Sequence, residues 1–248
     1  MKIAFIIILV VLAVGLLTME RIDPSKYETD IDCGTLSAEQ IRVMNNILEC
    51  SKTGNTTIEQ NLKTNEEFRE VIDYIGLYFG TNLKHQNVAL WRPGYAIVEL
   101  ELLRELEQDK AVLDAKIDRA LSMMYEGSDR FKLWQISEYL ALVIAPSYSL
   151  DHIEPLSGLA GKGSCMTYSM LFYKMARRVG IEVYICEGYV HNGIRLTAHS
   201  WNMVMLDGEQ YFYDATWYDC IFIRNLKYIH SQTAWGRSYT IPRHYSTE

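Results

Sequence analysis

The chain has 248 residues, of which 24 are basic and 31 acidic, so its formal net charge is -7. Lysine and arginine form no cluster or stripe, which argues against nucleic acid as a partner. With 49% hydrophobic residues, 17 tyrosines and 5 tryptophans, the chain can bury a substantial aromatic core. We expect neither a cofactor nor a metal site.

The N-terminus has the pattern of an export signal. Met1 and Lys2 give a short basic start, and an uncharged, mostly aliphatic run follows at 3–18. As a helix this run reaches about 24 Å, short of the roughly 30 Å hydrocarbon core of a bilayer. We therefore expect residues 1–19 to be a signal peptide with a cleavage site near 13–15, or else an uncleaved membrane anchor. Either outcome places the rest of the chain outside the cytoplasm.

A polar spacer is expected at 20–35, followed by a mostly helical N-terminal region at 36–126. Ser37 and Gln40 predict a capping box for a helix at 37–51, and Thr64 and Glu67 predict another at 64–78 that ends near Gly80. We expect a loop at 82–93, a short strand at 95–100 and a long helix at 101–124. The sequence does not indicate what this region does.

The remaining chain, 127–248, is predicted to hold the core that carries chemistry. A helix is expected at 129–145, with its apolar side against a second helix that Ser164 opens and Gly180 closes. The long connection at 146–163 is expected to shape a substrate entrance. The pattern then changes to period two, which predicts strands at 181–190, 196–206 and 210–216.

Cys165 is the candidate nucleophile, because it lies in the first turn of the predicted helix. Unpaired backbone N–H groups and the positive end of the helix dipole lower a thiol pKa there, and a nearby imidazolium lowers it further. A thiol nucleophile needs a base, and the base needs a group that fixes its tautomer. His199 and Asp214 follow in that order.

The predicted hairpin brings His199 and Asp214 together. Asp207-Gly208 is a strong signal for a two-residue turn, which pairs Leu206 with Glu209. Asp214 then lies opposite residue 201 and becomes the diagonal, same-face neighbour of His199, within side-chain reach. A one-residue slip would put the two on opposite faces.

These residues resemble the transglutaminase-like superfamily over about 129–220. The resemblance lies in Gly-x-Gly-x-Cys at a helix start, in the His199-Ser-Trp-Asn segment and in the Tyr-Asp214-Ala-Thr-Trp segment. It implies an α+β, cysteine-protease-like or papain-like core, with the nucleophile helix packed on an antiparallel sheet. It also implies acyl transfer through a thioester of Cys165 on a protein or peptide amide. Cleavage by water and transfer to an amine both stay open.

Further roles are implied around this centre. The backbone N–H of Cys165 is the natural oxyanion donor, with a second donor from Trp134 or Tyr148. Trp201, Trp217 and Tyr148 are candidate substrate-binding residues, although aromatic packing explains the two tryptophans equally well.

Two other functions compete. Arylamine N-acetyltransferases use the same order of Cys, His and Asp, but they have Arg-Gly-Gly before the cysteine, where this chain has Lys162-Gly-Ser164. A non-catalytic surface-binding module on the same fold is the other alternative.

The other four cysteines are Cys33, Cys50, Cys186 and Cys220. Export permits two disulfides, and Cys33 with Cys50 is the first pairing to expect, with four free thiols as the alternative. Their spacing does not fit a zinc site.

Overall fold

The structure is a computed structural model that describes residues 19–27, 36–81, 83, 88–147, 149, 153–191, 196–216 and 228–234. For 190–191, 196–197 and 228–234 only the backbone is described. Residues 1–18 of the predicted leader, residues 28–35 of the predicted spacer, and the candidates Tyr148 and Trp217 lie outside these ranges, as do Cys33 and Cys220. In the described part of the chain, no helix combines the length and apolarity needed to cross a bilayer.

The described start of the predicted spacer is docked on the domain. Ile22 donates a backbone hydrogen bond to Met124 O at 3.0 Å, and its side chain is 2% exposed. The Tyr27 hydroxyl donates to a carboxylate oxygen of Glu126 at 2.9 Å and accepts a hydrogen bond from Lys132 Nζ at 2.8 Å. Residues 20–27 are therefore part of the folded domain.

Helices and a small sheet build the N-terminal region. The Ser37–Gln40 capping box is confirmed at the start of α1, and Gly54 ends that helix in the left-handed conformation. Thr64 accepts the N–H of Glu67 at the start of α2. The elements are α1 (Ala38–Thr53), β1 (Thr57–Glu59), α2 (Asn65–Phe79), β2 (Ala89–Arg92), β3 (Tyr95–Val98) and α3 (Leu100–Leu121).

The sequence interpretation missed two of these strands. Residues 82–93 were predicted as loop, yet β2 pairs antiparallel with β3, and β1 pairs with the other edge of β3. Pro93 and Gly94 form the turn between β2 and β3, with Gly94 at φ +84. Proline cannot adopt a positive φ, so this turn differs from the Asn-Gly and Asp-Gly type that marks most tight hairpins.

The second half places three helices before the main sheet. These are α4 (Asp129–Val143), α5 (Pro155–Leu159) and α6 (Cys165–Arg178), with β4 (Ala145–Pro146) and β5 (Lys162–Gly163) forming a short parallel pair. The predicted loop at 146–163 therefore contains a short helix and a strand. Leu133, Ile136 and Leu140 on α4 are fully buried, and α4 packs against α6 as predicted.

An antiparallel sheet follows, in the order β8-β7-β6-β9. The predicted register of the hairpin is confirmed, because Leu206 pairs with Glu209 and Asn202 with Tyr213. Asp207 and Gly208 both have positive φ, at 55° and 80°. The strands are β6 (Val183–His191), β7 (Leu196–Leu206), β8 (Glu209–Tyr213) and β9 (Tyr228–Ala234).

Helix α6 lies at the centre of the packing. It contacts β6 and β7 on one side and α4 and α5 on the other. Met170, Leu171 and Phe172 have no exposed surface. One hydrophobic core joins α6 to buried residues of α1, α2 and α3 and to one face of the sheet. The predicted α+β class, with the nucleophile helix on an antiparallel sheet, is confirmed.

Candidate active site

Ser164 is the N-cap of α6, as predicted, and places Cys165 in the first turn. The Thr167 hydroxyl, which is fully buried, accepts the backbone N–H of Ser164 at 3.1 Å. Gly163 allows β5 to approach this turn closely, because a Cβ there would lie 2.8 Å from Thr167 Cγ2. The local sequence thus fixes the start of the helix, where unpaired backbone N–H groups favour a negative charge.

The hairpin joins His199 to Asp214. His199 Nε2 lies 2.6 Å from Asp214 Oδ2, and the two side chains are 6% and 2% exposed. The other carboxylate oxygen of Asp214 accepts the backbone N–H of Thr216 at 3.0 Å. Both oxygens of the buried carboxylate therefore have partners, which holds it in a fixed orientation toward the imidazole.

His199 also forms a side-chain hydrogen bond with Cys165. Because Nε2 faces Asp214, this leaves Nδ1 as the nitrogen that faces the thiol. The backbone N–H groups of Ser200 and Met166 also donate to the sulfur. The structure thus links Cys165, His199 and Asp214 in one chain of hydrogen bonds, in the order that the sequence predicts.

The electrostatics favour a thiolate and an imidazolium. Burial alone would raise the pKa of the Cys165 thiol, but the hydrogen bond and charge of His199 and the two backbone donors lower it below its ordinary value. Burial would likewise lower the pKa of His199, but its hydrogen bonds to Asp214 and Cys165 raise it to about 9. The lowered pKa of Cys165 and the raised pKa of His199 both favour an ion pair between the thiolate and the imidazolium.

Asn202 is a structural member of this region to which the sequence interpretation gave no role. Its Nδ2 donates to Ser169 O of α6 at 3.0 Å and to Tyr184 O of β6 at 3.3 Å, and the residue is 1% exposed. It therefore ties the helix that carries Cys165 to the sheet. The sequence contains a signal for this role. Alternation along β7 puts Asn202 on the same face as the buried Val204, where a polar side chain needs a hydrogen-bond partner.

The two candidate tryptophans in the described part of the chain lie in different environments, one buried and one exposed. Trp201 is fully buried, and its ring lies stacked against His199 with centroids 6.2 Å apart. It packs with Tyr184, Cys186 and Phe212 on the sheet face away from α6, so it offers no surface to a substrate in this conformation. Trp134 is 49% exposed and stacks on Phe131.

Two other cysteines are described, and both are free thiols in the interior. Cys50 is a free thiol that donates to Asn46 O at 3.2 Å within α1, while its expected partner Cys33 lies outside the described residues. Burial raises the pKa of the Cys50 thiol, and it raises that of Cys186 far more. Both are therefore chemically unlike Cys165.

The part of the chain that holds Cys165, His199 and Asp214 matches a known protein family. Residues 113–218 match the family model described as the transglutaminase-like superfamily. This segment is similar to members of that superfamily. The match contains Cys165, His199 and Asp214, and it begins within α3, earlier than the resemblance expected from residue 129. Members of the superfamily are generally cysteine-dependent enzymes.

Two solved structures are similar to the chain at low sequence identity. One is from Cytophaga hutchinsonii and is provisionally described as a cysteine protease; it is 13% identical, with TM-score 0.36 over 43% of this chain and 37% of that chain. The other is described as a TGase; it is 15% identical, with TM-score 0.39 over 71% of this chain and 48% of that chain. The chain thus spans less than half of either solved chain. No curated protein matches the sequence.

Proposed function

We propose that this protein is an exported cysteine enzyme that cleaves or transfers the acyl group of a protein or peptide amide through a thioester on Cys165. The observation that supports this most strongly is the hydrogen-bonded chain from Cys165 through His199 to Asp214. The three groups correspond to a nucleophile, a base and an orienting acid, which is the arrangement that activates a thiol.

In the first half of the proposed reaction, the Cys165 thiolate attacks the amide carbonyl carbon and forms a C–S bond. The carbonyl oxygen becomes an oxyanion, and the backbone N–H of Cys165, at the start of α6, is the proposed donor to it. When the intermediate collapses, the C–N bond breaks and the amine leaves with the proton from the His199 imidazolium. Cys165 then carries the acyl group as a thioester.

In the second half, neutral His199 takes a proton from water or from an amine as that molecule attacks the thioester carbonyl. The C–S bond breaks, the acid or the new amide leaves, and the thiolate faces the imidazolium again. Asp214 orients His199 and stabilises the imidazolium through the 2.6 Å contact between Oδ2 and Nε2. Both hydrolysis and transfer use the same three side chains.

We further propose that the enzyme works outside the cytoplasm, either released or held at the membrane by its N-terminal segment. The support is the basic start and apolar run at 1–18. Expression of the full chain with cell fractionation and N-terminal sequencing tests this: a mature protein that begins near residue 16 indicates cleavage. A full-length protein in the cytoplasmic fraction contradicts export.

The thiol is tested by iodoacetamide labelling of the full chain between about pH 4 and 9, with the labelled cysteine mapped. We expect Cys165 to react well below the free-thiol pKa of about 8.5. Cys50 and Cys186 are internal controls, because both are buried and have raised pKa values. In a His199→Ala variant the reactivity should move to higher pH. The proposal is contradicted if labelling rises only above about pH 8.5 and is the same in the intact chain and in His199→Ala. That result would favour a non-catalytic binding module.

The reaction is tested with peptide and glutamine-amide libraries, with and without a fluorescent primary amine. Release of acid and amine in the absence of the label indicates hydrolysis, and covalent incorporation of the label indicates transfer. A Cys165→Ala variant is the matched control and should be inactive in both assays. Activity that survives this substitution contradicts the proposal.

A further inference from the structure

A cavity of about 550 Å³ lies between α1, α2, α3 and α6, toward the C-terminal end of α6. This volume is in the range of small-molecule sites, which are commonly about 300 to 1,000 Å³. Helices α1 and α2 contribute most of the apolar lining, namely Ile41, Met44, Leu48 and Leu77, and α3 adds Ile117. Helices α3 and α6 contribute the charged lining, namely Lys110, Asp114, Asp118, Lys174, Arg177 and Arg178.

Two ammonium groups of this lining share one carboxylate. Lys110 and Lys174 both pair with Asp114, with Lys174 Nζ 3.3 Å from Oδ1. Arg178 is matched by Asp118 through two hydrogen bonds of 2.7 and 2.8 Å. Arg177 adds a further basic side chain to the lining.

Lys174 is more buried than Lys110 and Arg178, with a side chain only 11% exposed. Its Nζ donates to Tyr78 O at 3.1 Å and pairs with Asp114, whereas an ammonium has three N–H donors. Burial, together with the charges of Lys110 and Arg178, lowers the pKa of Lys174 to about 8, although Asp114 acts in the opposite direction. The ammonium is thus undercompensated by the protein.

The dipole of α6 accounts for part of this grouping of basic side chains around the cavity. Arg177 and Arg178 lie in the last turn of α6, where cations are favourable. Lys174 lies a turn earlier and is buried, and Lys110 comes from α3, so the dipole of α6 does not explain why they meet. A buried cation that is short of negative charge is favourable when an anion can join it.

We infer that this cavity binds a small organic anion, whose carboxylate or phosphate group pairs with Lys110, Lys174 and Arg177 and whose apolar part lies against α1 and α2. Lys174 is nine residues beyond Cys165 on the same helix, which is roughly 14 Å at 1.5 Å per residue. The site is therefore separate from the thiol, and the inference does not depend on the proposed reaction.

Calorimetric titration of the full chain at low salt tests the inference, with phenyl phosphate, inorganic phosphate and phenol as probes. We expect phenyl phosphate to bind more tightly than phosphate, because it adds apolar contact, and phenol not to bind measurably. Arg177→Gln and Lys174→Met should each weaken binding about tenfold, the loss expected for one charged hydrogen bond. Arg42→Gln, which removes the same charge at an exposed pair with Glu39 outside the cavity, should leave binding unchanged.

A second readout keeps the test decisive if Lys174→Met does not fold. NMR titration of the Lys174 ammonium should show its pKa rising when phenyl phosphate binds, since an anion stabilises the charged form. Cys165→Ala should bind phenyl phosphate as the unmodified chain does. The inference is overturned if Arg177→Gln binds normally, if phenol binds as well as phenyl phosphate, or if the Lys174 titration does not respond.

Discussion

Replacement of Asp214 by asparagine removes the carboxylate charge that faces His199 while it keeps the size and the hydrogen-bonding shape of the side chain. The His199 Nε2 to Asp214 Oδ2 contact is 2.6 Å, and both side chains are almost fully buried. The contact is therefore poorly screened by solvent, so its loss should be measurable.

The magnitude follows from the raised pKa of His199. A hydrogen bond to a charged group contributes about 1.5 to 3 kcal/mol, and 1.36 kcal/mol corresponds to one pKa unit. The pKa of His199, which is about 9 in the intact protein, should therefore fall to about 7 or 8 in Asp214→Asn. The pKa of Cys165 should rise, because a weaker imidazolium stabilises the thiolate less.

Two assays measure this shift. NMR titration of the His199 ring gives its pKa directly, and the pH dependence of iodoacetamide labelling reports the Cys165 thiolate. Asp207→Asn is the matched control, since it removes the same charge at an exposed turn position that tolerates asparagine. A His199 titration that is the same in Asp214→Asn and in the intact protein would refute the coupling between these two side chains.

The same substitution has a pH-dependent effect on stability. The pKa of His199 is raised from 6.5 to about 9 in the folded state, so its stabilising contribution is complete below about pH 6.5 and is lost as the pH rises through about 9. The difference in unfolding free energy between the intact protein and Asp214→Asn should therefore be larger at pH 6 than at pH 10. A difference that grows with pH contradicts the assigned shift.

Three further predictions concern the packing that positions the site. Asn202→Leu should lower the unfolding free energy by about 2 to 3 kcal/mol in chemical denaturation, because two buried carbonyl groups each lose a donor; a loss under about 0.5 kcal/mol contradicts this. Gly163→Ala should cost about 1 to 3 kcal/mol and slow Cys165 alkylation, since its Cβ would press on Thr167; unchanged alkylation contradicts it. Ser37→Ala should cost about 1 kcal/mol through the lost cap of α1, with alkylation unchanged; slower alkylation would link α1 to the site.

The candidate site could be predicted because it depends on short stretches of chain. An Asp-Gly turn has few alternatives, so the register of β7 against β8 follows from two residues. The N-cap position of Ser164 likewise follows from the glycine-rich turn and the apolar run after it. Each of these decisions is local, and together they predict Cys165 in the first turn of a helix and His199 beside Asp214, as the structure has them.

The N-terminal sheet was less predictable, because its strands are short and depend on tertiary pairing. β1 has three residues, and only Ile58 among them is buried. Such a segment is too short for its alternation to be a clear signal, and its strand form depends on pairing with β3. The cavity at the far end of α6 could not be predicted either, since its charged residues come from helices that are distant in the sequence.

Strand β7 links the nucleophile and the base through His199 and Asn202, which lie three residues apart. His199 faces Asp214 on one side of the strand, while Asn202 on the other side holds α6 through Ser169. The packing of α6 against β7, to which the Asn202–Ser169 hydrogen bond contributes, therefore helps to set the position of Cys165 relative to His199. Because a displacement of about 1 Å can reduce a reaction rate about a hundredfold, substitutions at this contact should affect the thiol more than equally destabilising substitutions in α1 or in the N-terminal sheet.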